Sequence, residues 1–359
     1  MMQEKDSMFE QMTARGHDRL CFHHDKETGL RAIVAIHSTA LGNALGGTRR
    51  WYYESEADAV YDVLRLSKGM TYKAAISGLP MGGAKSVIMM PSPDFGRTEA
   101  EARAMGRFVD TFNGAYIAAE DVGVDTQFID WMAHETNHVM GGETVSRGGD
   151  PSPWTALGVF HGMRACLLQA GLGENFAGKT VALQGVGHVG QNLCKLLHEA
   201  GAKLIVADIN KTNLDTAVNE FGATVAHVDD ILKAECDILA PCALGGVIDG
   251  NNIEHLRCPI VCGAANNILD DPEEDAVALK TAGIVYGTDF VVNAGGLIHL
   301  AGMHLGMADD ELVLKNDEIF TTTQQILELT EHSASSYAAA VEIAEQRIAN
   351  GQGLSVHAS

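Results

Sequence analysis

The chain has 359 residues, a formal net charge of −22 and a hydrophobic fraction of 46%. This length allows two domains, and the composition with its 39 glycines is typical of a globular α/β protein rather than a disordered one. The negative charge argues against nucleic acid or an anionic membrane surface as a partner, and no apolar run is long enough to span a bilayer.

The amino-terminal third predicts a mixture of strands and helices. Residues 20–37 alternate apolar and polar positions around a turn at 25–29, which predicts a β-hairpin. Residues 41–49 are rich in glycine and are interpreted as a loop. A helix is expected over 57–68, with Ser55 as its N-cap.

The stretch from Gly69 to Ile88 carries two lysines, Lys73 and Lys85, among apolar and small residues. A lysine flanked by Gly82, Gly83 and apolar side chains is expected to be desolvated, which lowers its pKa and makes it a candidate proton carrier. The paired glycines are interpreted as a turn where a ligand can approach the backbone. The alternative is two lysines that extend their amino groups to solvent beside a structural turn.

A helix is predicted over 98–113, and the next strand, within 116–124, runs directly into Glu120 and Asp121. Acidic residues at the carboxyl end of a buried strand lie where α/β folds place chemistry. The alternative is an aspartate that only caps the following helix.

Two patterns resemble metal sites, and neither is favoured. His134 and His138 fit a zinc-protease pattern, but no third ligand follows and glycines end the segment. The seven cysteines contain no Cys-x-x-Cys pair, so reduced core thiols in a cytoplasmic protein are expected rather than a metal centre. They are Cys21, Cys166, Cys194, Cys236, Cys242, Cys258 and Cys262.

The break at 141–153 predicts the domain junction, and a helix over 155–169 opens the second domain. Residues 179–184 form a predicted strand that leads into Gly185-Val186-Gly187-His188-Val189-Gly190. A helix over 191–200 and a strand over 203–207 ending in Asp208 follow. This context predicts a dinucleotide site, in which the glycines admit the pyrophosphate to the helix N-terminus. Asp208 would bind the ribose hydroxyls and favour NAD over NADP, although the nearby Lys211 weakens that preference.

Short apolar strands are predicted at 237–240, 259–262 and 284–286, as in a doubly wound parallel sheet. Two apparent strand ends carry asparagines, at Asn266-Asn267 and at Asn293. The nicotinamide is therefore expected near Asn266 and Asn293. The last helices are predicted at 311–329 and 336–349.

With these motifs placed, the chain resembles the Glu/Leu/Phe/Val amino-acid dehydrogenase superfamily, and its length resembles the leucine, phenylalanine and valine branch. The segments that carry the resemblance are 44–49, 69–73, 82–85, 119–123, 185–190, 241–245, 263–267 and 293–296. The resemblance implies an α/β fold with a substrate-binding and catalytic domain over 1–148 and a Rossmann-type NAD domain over 149–329, with a cleft between them. The helix of about 330–359 would pack back on the first domain.

The resemblance also implies a role for each matched residue. Lys73 would hold the substrate α-carboxylate, Lys85 would polarise the carbonyl or activate water, and Asp121 would move a proton to and from the amino nitrogen. The expected substrate site also contains Leu45, Gly46, Gly47, Met70, Met140, Asn267, Leu297 and Leu300. The expected cofactor site contains Thr155, Gly185, Gly187, His188, Val189, Gly190, Asp208, Cys242, Ala243, Asn266 and Asn293.

The pocket side chains are neutral, so glutamate is disfavoured and leucine, valine or isoleucine is expected, with phenylalanine or tryptophan as the alternative. Two positions depart from the family pattern: Ala84 replaces a glycine, and Trp154 replaces a smaller residue. The products would be a 2-oxo acid and ammonia, and the resemblance implies a homo-oligomer such as an octamer. A non-catalytic NAD-binding protein is the rival from another class.

Overall fold

A computed structural model describes residues 7–144, 150–243 and 245–351. Its backbone forms two compact units. The first comprises the described residues up to Asp150 together with 300–307 and those from Ala344 onward, and the second comprises 151–299 and 308–343. Each unit is built around its own sheet.

The first unit contains a five-stranded mixed sheet in the order β1-β2-β4-β3-β5. The hairpin prediction is confirmed, since β1 and β2 pair antiparallel, whereas β3 is parallel to both β4 and β5. Its elements are α1 (Met8–Arg15), β1 (Arg19–His24), β2 (Arg31–Ser38), β3 (Ala44–Trp51), α2 (Glu56–Ile76), β4 (Gly82–Met89), α3 (Glu99–Asp110), β5 (Tyr116–Glu120) and α4 (Thr126–Ala133).

The loop predicted over 41–49 is wrong, because residues from Ala44 onward form β3. Glycine content suggested a loop, but the two glycines in this strand serve close packing. A Cβ at Gly46 would lie 1.7 Å from the Ala84 carbonyl oxygen, and a Cβ at Gly47 would lie 2.5 Å from the Glu120 carbonyl oxygen. Neighbouring backbone therefore occupies the space that side chains would need.

The turn predicted at Gly82-Gly83 is also wrong, because both glycines belong to β4 and are buried. A Cβ at Gly83 would lie 2.1 Å from the backbone nitrogen of Thr71 on α2. The predicted N-cap of α2 is confirmed, since the Ser55 side chain accepts from the Asp58 amide. The helix continues to Ile76, so Lys73 lies on its last turns rather than in a loop.

The second unit contains a six-stranded parallel sheet in the order β11-β10-β9-β6-β7-β8, which confirms the doubly wound prediction. Its strands are β6 (Thr180–Gln184), β7 (Lys203–Ala207), β8 (Thr224–Val225), β9 (Ile238–Pro241), β10 (Ile260–Val261) and β11 (Val285–Tyr286). Its helices are α5 (Ser152–Gln169), α6 (His188–Glu199), α7 (Lys211–Phe221), α8 (Pro272–Thr281), α9 (Asp289–Val292) and α11 (Asp309–Leu329).

Two further helices, α10 (Gly295–His304) and α12 (Ser336–Ala349), contribute residues to both units. In the first unit the end of α12 contacts α2, where the Tyr72 hydroxyl donates to Glu345 at 2.7 Å and Arg347 donates to the Ala75 carbonyl at 3.1 Å. The prediction that Asn293 lies at a strand end is wrong, because Asn293 follows the short helix α9.

Candidate active site

The centre of the first unit is an ion pair between Lys85 and Asp121. Lys85 lies on β4 with 6% of its surface exposed, and its Nζ is 3.1 Å from Asp121 Oδ2. Asp121 directly follows β5, and β3 separates the two strands. A Cβ at Gly47 on β3 would lie 2.9 Å from the Asp121 Cβ, so this glycine leaves the space that the carboxylate occupies.

Arg49 is the functional side chain that the sequence reasoning did not assign. Its Nε donates to Asp121 Oδ2 at 2.8 Å, and its Nη1 donates to Asp62 Oδ2 at 3.0 Å. Tyr53 donates to the same Asp62 oxygen at 2.8 Å. Arg49 belongs to the segment 44–49, which carries part of the family resemblance. The sequence therefore marked Arg49 as a candidate, but only the fold shows which carboxylates it pairs with.

These charges shift the pKa values of the pair in ways that suit proton transfer. Burial lowers the pKa of Lys85, and the Arg49 guanidinium lowers it further, while Asp121 opposes both. Burial alone would raise the pKa of Asp121, but Lys85 and Arg49 outweigh it and lower that pKa. The pair therefore combines an ionised carboxylate with a lysine that gives up its proton more easily than one in water.

Glu120, the other acidic residue predicted at this strand end, has a different environment. Burial raises its pKa to about 7, and the carboxylates of Asp125, Asp150 and Asp130 act in the same direction. The surroundings therefore shift the pKa values of two adjacent acidic residues at one strand end in opposite directions.

The remaining predicted substrate residues of the first unit lie on β3, on α2, on α10 and after α4. Gly46 is buried on β3, where its carbonyl accepts from the Tyr116 hydroxyl at 3.1 Å. Met70 and Lys73 are half-buried on α2, and Thr71 between them packs against Gly83 on β4. Leu45 and Met140 are buried, and Leu300 is half-buried on α10.

The glycine loop of the second unit has the backbone geometry that a dinucleotide site needs. Gly185 adopts φ +94°, and a Cβ there would lie 2.6 Å from Ala243. A Cβ at Gly190 would lie 2.4 Å from the Gly185 carbonyl oxygen, so helix and loop are packed closely. Asp208, after β7, accepts from the Val186 amide at 2.8 Å and thereby ties the loop to the neighbouring strand.

The residues present fit a bound dinucleotide. Gly187 is the N-cap of α6, no side chain caps that helix end, and the position of its missing Cβ has no heavy atom within 4 Å. The helix, which begins with His188 and Val189, can therefore offer its first amide groups to a phosphate. Asn293 is 4% exposed, and its Oδ1 has no hydrogen-bond partner among the described residues, so it can accept from a carboxamide.

The other predicted cofactor residues lie on loops and helix ends of the same unit. Asn293 Nδ2 donates to Asn266 Oδ1 at 3.0 Å and to the Ala264 carbonyl at 3.1 Å, so it is held against the loop that carries Asn266 and Asn267. Cys242 follows β9, and its amide donates to the Gln184 carbonyl at 2.7 Å.

Thr155, on α5, packs against the first turn of α10, since a Cβ at Gly296 would lie 2.5 Å from the Thr155 hydroxyl. Leu297 is buried on α10. The Trp154 ring, on α5, stacks on His299 of α10 with centroids 4.8 Å apart. Trp154 and His299 therefore join the start of α5 to the helix that carries Leu297.

The zinc-like histidine pattern is interrupted by the end of a helix. The helix α4 ends at Ala133, with His134 as its C-cap, so His134 and His138 do not share a helical face. Within 7–144, 150–243 and 245–351, no group of three or more His, Cys, Asp or Glu side chains is arranged to hold a metal ion. In the same ranges no helix is both long enough and apolar enough to cross a membrane.

A buried lysine–carboxylate pair in one unit and a dinucleotide-binding sheet in the other define a nicotinamide-dependent dehydrogenase, and comparison with known families agrees. Residues 17–138 match the Glu/Leu/Phe/Val dehydrogenase dimerisation domain, and residues 206–354 match the Glutamate/Leucine/Phenylalanine/Valine dehydrogenase family. Residues 164–244 also match the NAD-binding domain of D-isomer specific 2-hydroxyacid dehydrogenases. The chain belongs to the Glu/Leu/Phe/Val dehydrogenase family. The predicted superfamily and the assignment to the amino-acid dehydrogenases are thus confirmed.

Similar proteins cover nearly the whole chain. The leucine dehydrogenase of Thermoactinomyces intermedius is 47% identical over 343 residues, which cover 95% of this chain and 93% of that protein. The valine dehydrogenase of Streptomyces virginiae is 40% identical over 344 residues, which cover 94% of this chain and 95% of that protein. The crystal structure of L-tryptophan dehydrogenase from Nostoc punctiforme superimposes with a TM-score of 0.84 at 38% identity, covering 96% of this chain and 99% of that chain.

Proposed function

We propose that this chain catalyses the NAD-dependent, reversible oxidative deamination of an apolar L-amino acid to its 2-oxo acid and ammonia. The observation that carries the proposal is the buried Lys85, whose Nζ lies 3.1 Å from Asp121. The relatives named above as leucine and valine dehydrogenases support aliphatic substrates, and we favour leucine, valine and isoleucine.

The chain's own residues supply the non-redox parts of this reaction. The ammonium group of Lys73 binds the α-carboxylate of the substrate through a charge-assisted hydrogen bond. Asp121 accepts a proton from the substrate ammonium, which must be neutral before the α-carbon can lose a hydride. Lys85 then removes a proton from the water that attacks the iminium carbon and passes it to solvent. As the C–N bond breaks, Lys85 takes the second proton from that oxygen and the carbonyl forms. Asp121 returns a proton to the departing nitrogen, which leaves as ammonia.

The cofactor supplies the hydride acceptor, and the residues of the second unit select its type. Asp208 carries a carboxylate at the end of β7, where it would accept from ribose hydroxyls and repel a 2′-phosphate. Lys211 is 88% exposed and lies 3.6 Å from Asp215, so much of its charge is offset. We therefore infer NAD rather than NADP.

The choice between aliphatic and aromatic substrates depends on the expected side-chain pocket. Leu45, Met70, Met140, Leu297 and Leu300 are neutral, so a γ-carboxylate would have no cationic partner among them. The structural relative named as an L-tryptophan dehydrogenase supports the aromatic alternative. We favour aliphatic substrates because Leu297 is bulkier than the small residue expected at this position in some phenylalanine enzymes.

A substrate panel tests this proposal directly. Formation of NADH at 340 nm would be followed with leucine, valine, isoleucine, phenylalanine, tryptophan and glutamate, each with NAD and with NADP. We expect kcat/KM for an aliphatic substrate with NAD to exceed that for phenylalanine by at least about tenfold. This is the lower end of the discrimination that a hydrophobic pocket achieves for one extra or missing methylene group. Binding of NADH without turnover of any substrate would support a non-catalytic NAD-binding protein instead.

We also propose that the chain assembles as a homo-oligomer in the cytoplasm. The matched dimerisation domain supports self-association, and the seven described cysteines are unpaired thiols, as a reducing compartment favours. Light scattering coupled to gel filtration tests the assembly, where eight subunits would agree with the expected octamer and a monomer would contradict it.

A further inference from the structure

Two cysteines lie opposite each other at the start of neighbouring strands in the second unit. The parallel pairing of β9 with β10 places Ile238 opposite Ile260. The Cys236 amide donates to the Arg257 carbonyl at 3.4 Å, which is the bond expected when Cys236 lies opposite Cys258 in the same register. Pro259 has no amide hydrogen to return the second bond, so the regular ladder begins only after this pair.

The two side chains lie in the same apolar cluster. Both pack against the residues that include Ile231 and Ile253, and each thiol shifts the pKa of the other, lowering that of Cys258. Paired strands are about 4.8 Å apart, which falls within the roughly 4.4–6.8 Å range of Cα separations that a disulfide can bridge. A disulfide also needs Cβ atoms about 3.5–4.5 Å apart, so the two strand starts must approach each other slightly for the bond to form.

The electrostatics favour Cys258 as the reactive member. The Cys236 thiol lowers the pKa of Cys258, and backbone contacts with Leu239 and Ile260 act in the same direction against burial. Burial raises the pKa of Cys194 and Cys242, each to about 12, so these two thiols are poor nucleophiles.

A surface pocket of about 240 Å³ lies beside the segments that lead into both cysteines. It is lined by Lys233, Glu254, His255, Leu256 and Arg257, and the last of these immediately precedes Cys258. Glu235 and Glu254 are within 4 Å of Arg257 and His255 respectively, so the basic side chains are partly offset. Cys236 is half-buried and Cys258 is 7% exposed, so neither residue is completely enclosed.

We propose that Cys236 and Cys258 form an oxidisable dithiol, which reduces a hydroperoxide and becomes a cross-strand disulfide. The Cys258 thiolate attacks the terminal peroxide oxygen, the O–O bond breaks, and with hydrogen peroxide the leaving hydroxide takes up a proton as water. The resulting sulfenic acid at Cys258 is then attacked by Cys236 sulfur. The S–S bond forms, the S–O bond breaks, and a second water leaves with the Cys236 proton.

This site is separate from the expected cofactor site. The cysteines precede β9 and β10, whereas the glycine loop and Asp208 follow the carboxyl ends of β6 and β7. All strands of this sheet are parallel, so the starts of β9 and β10 and the carboxyl ends of β6 and β7 lie at opposite ends of the strands. The dithiol reaction therefore uses neither the expected cofactor site nor the substrate. Its outcome is therefore independent of the dehydrogenase assignment.

The test treats the purified full-length protein with stoichiometric hydrogen peroxide, blocks the remaining thiols, and digests it with trypsin under non-reducing conditions. We expect a cross-linked pair of peptides, residues 234–257 and 258–280, lighter by two hydrogen atoms than the sum of the free peptides. Fragment ions must show Cys242 and Cys262 blocked and Cys236 joined to Cys258. Dithiothreitol should restore both thiols.

The chain offers a matched control in Cys166 and Cys262, whose sulfurs both border Gly287 but which are fully buried. This second pair should remain reduced. Cys236→Ser should stop at a sulfenic acid on Cys258 that dimedone traps, and Cys258→Ser should slow peroxide consumption at least about tenfold. Absence of the Cys236–Cys258 cross-link, or an unchanged rate in Cys258→Ser, would overturn the proposal.

Discussion

At the scale of single residues, one carboxylate oxygen joins the candidate catalytic groups. Asp121 Oδ2 is 3.1 Å from Lys85 Nζ and 2.8 Å from Arg49 Nε. Two cations on one oxygen keep the carboxylate ionised even though it is mostly buried, because their attraction outweighs the loss of hydration. Arg49 is thereby expected to set the pH at which Asp121 can accept a proton.

Replacement of Arg49 tests this role. In Arg49→Leu the pKa of Asp121 should rise, because one of the two charges that lower it is gone. Since the proposed reaction needs ionised Asp121, the acidic limb of the kcat/KM profile should move to higher pH. The measurement is initial rate against pH with a saturating cofactor.

The matched control for this experiment is Arg65→Leu. Arg65 also pairs with Asp62, at 3.2 Å, but its side chain is largely exposed and it makes no ion pair with Asp121 among the described residues. Its profile should match that of the unmodified protein, whereas Arg49→Lys should shift less than Arg49→Leu. An Arg49→Leu profile that superimposes on the unmodified one would show that Arg49 does not control Asp121.

At this scale the sequence predicted the chemistry but not the partnerships. Lys85 and Asp121 could be selected because a lysine among apolar residues and an aspartate after a buried strand are unusual. Their ion pair, and the place of Arg49 in it, depend on the order of strands β4, β3 and β5, which local sequence does not encode. Asn293 illustrates the same limit, because its position after a helix rather than a strand needed the fold.

At the scale of elements, glycines allow the strands and helices around the site to approach closely. On β3 and β4 they occupy positions where a Cβ would overlap neighbouring backbone, as at Gly46 and Gly83. Glycine content predicted a loop at the first place and a turn at the second, and both predictions were wrong. Glycine is favoured both in flexible turns and in strands that pack closely against neighbouring backbone, so its presence alone does not distinguish the two. In the second unit the glycine loop was correctly placed because a strand and a helix flank it at the expected spacing.

Gly83→Ala should destabilise the first unit. Its Cβ would lie 2.1 Å from the Thr71 backbone nitrogen, so α2 or β4 must move. Overpacking of this kind costs about 1–3 kcal/mol, and backbone contact places the expected loss at the upper end. Urea denaturation followed by circular dichroism measures it, and a midpoint equal to that of the unmodified chain would contradict the close packing.

Gly187→Ala should behave in the opposite way. The space around the missing Cβ is open, so the free energy of unfolding should change by less than about 1 kcal/mol. The new methyl group would stand where the pyrophosphate is proposed to approach, so NADH affinity should fall at least about tenfold. Titration of NADH fluorescence measures this, and unchanged affinity would place the phosphates elsewhere.

At the scale of the whole molecule, two buried histidines make stability depend on pH. His17 and His37 lie with ring centroids 4.8 Å apart, and they contact Ser67 and Thr71 of α2 through hydrogen bonds of 2.9 Å. Burial lowers the pKa of each from its ordinary value to about 4. Both rings are therefore neutral in the folded chain under conditions where the unfolded chain would protonate them.

The expected consequence is a loss of stability on acidification. The unfolded state binds protons at these two sites below about pH 6.5, and the folded state does so only near pH 4. Their contribution is complete above pH 6.5 and should decline by up to about 3 kcal/mol for each ring as pH falls toward 4.

Urea midpoints between pH 7.5 and 4.5 measure this loss. His17→Gln should flatten the dependence, while His24→Gln, at an exposed position on β1, should leave it unchanged. Equal slopes in the three proteins would exclude the buried pair as the cause.

The most direct test of the central claim is turnover and NADH binding in Lys85→Ala, measured on the same preparation. The dinucleotide-binding residues belong to the second unit and Lys85 to the first, so the two properties should separate. We expect kcat with the preferred amino acid to fall by about 10²–10⁴-fold while the NADH dissociation constant stays within about twofold. Substantial turnover in Lys85→Ala would contradict the assignment of Lys85 as the group that activates water.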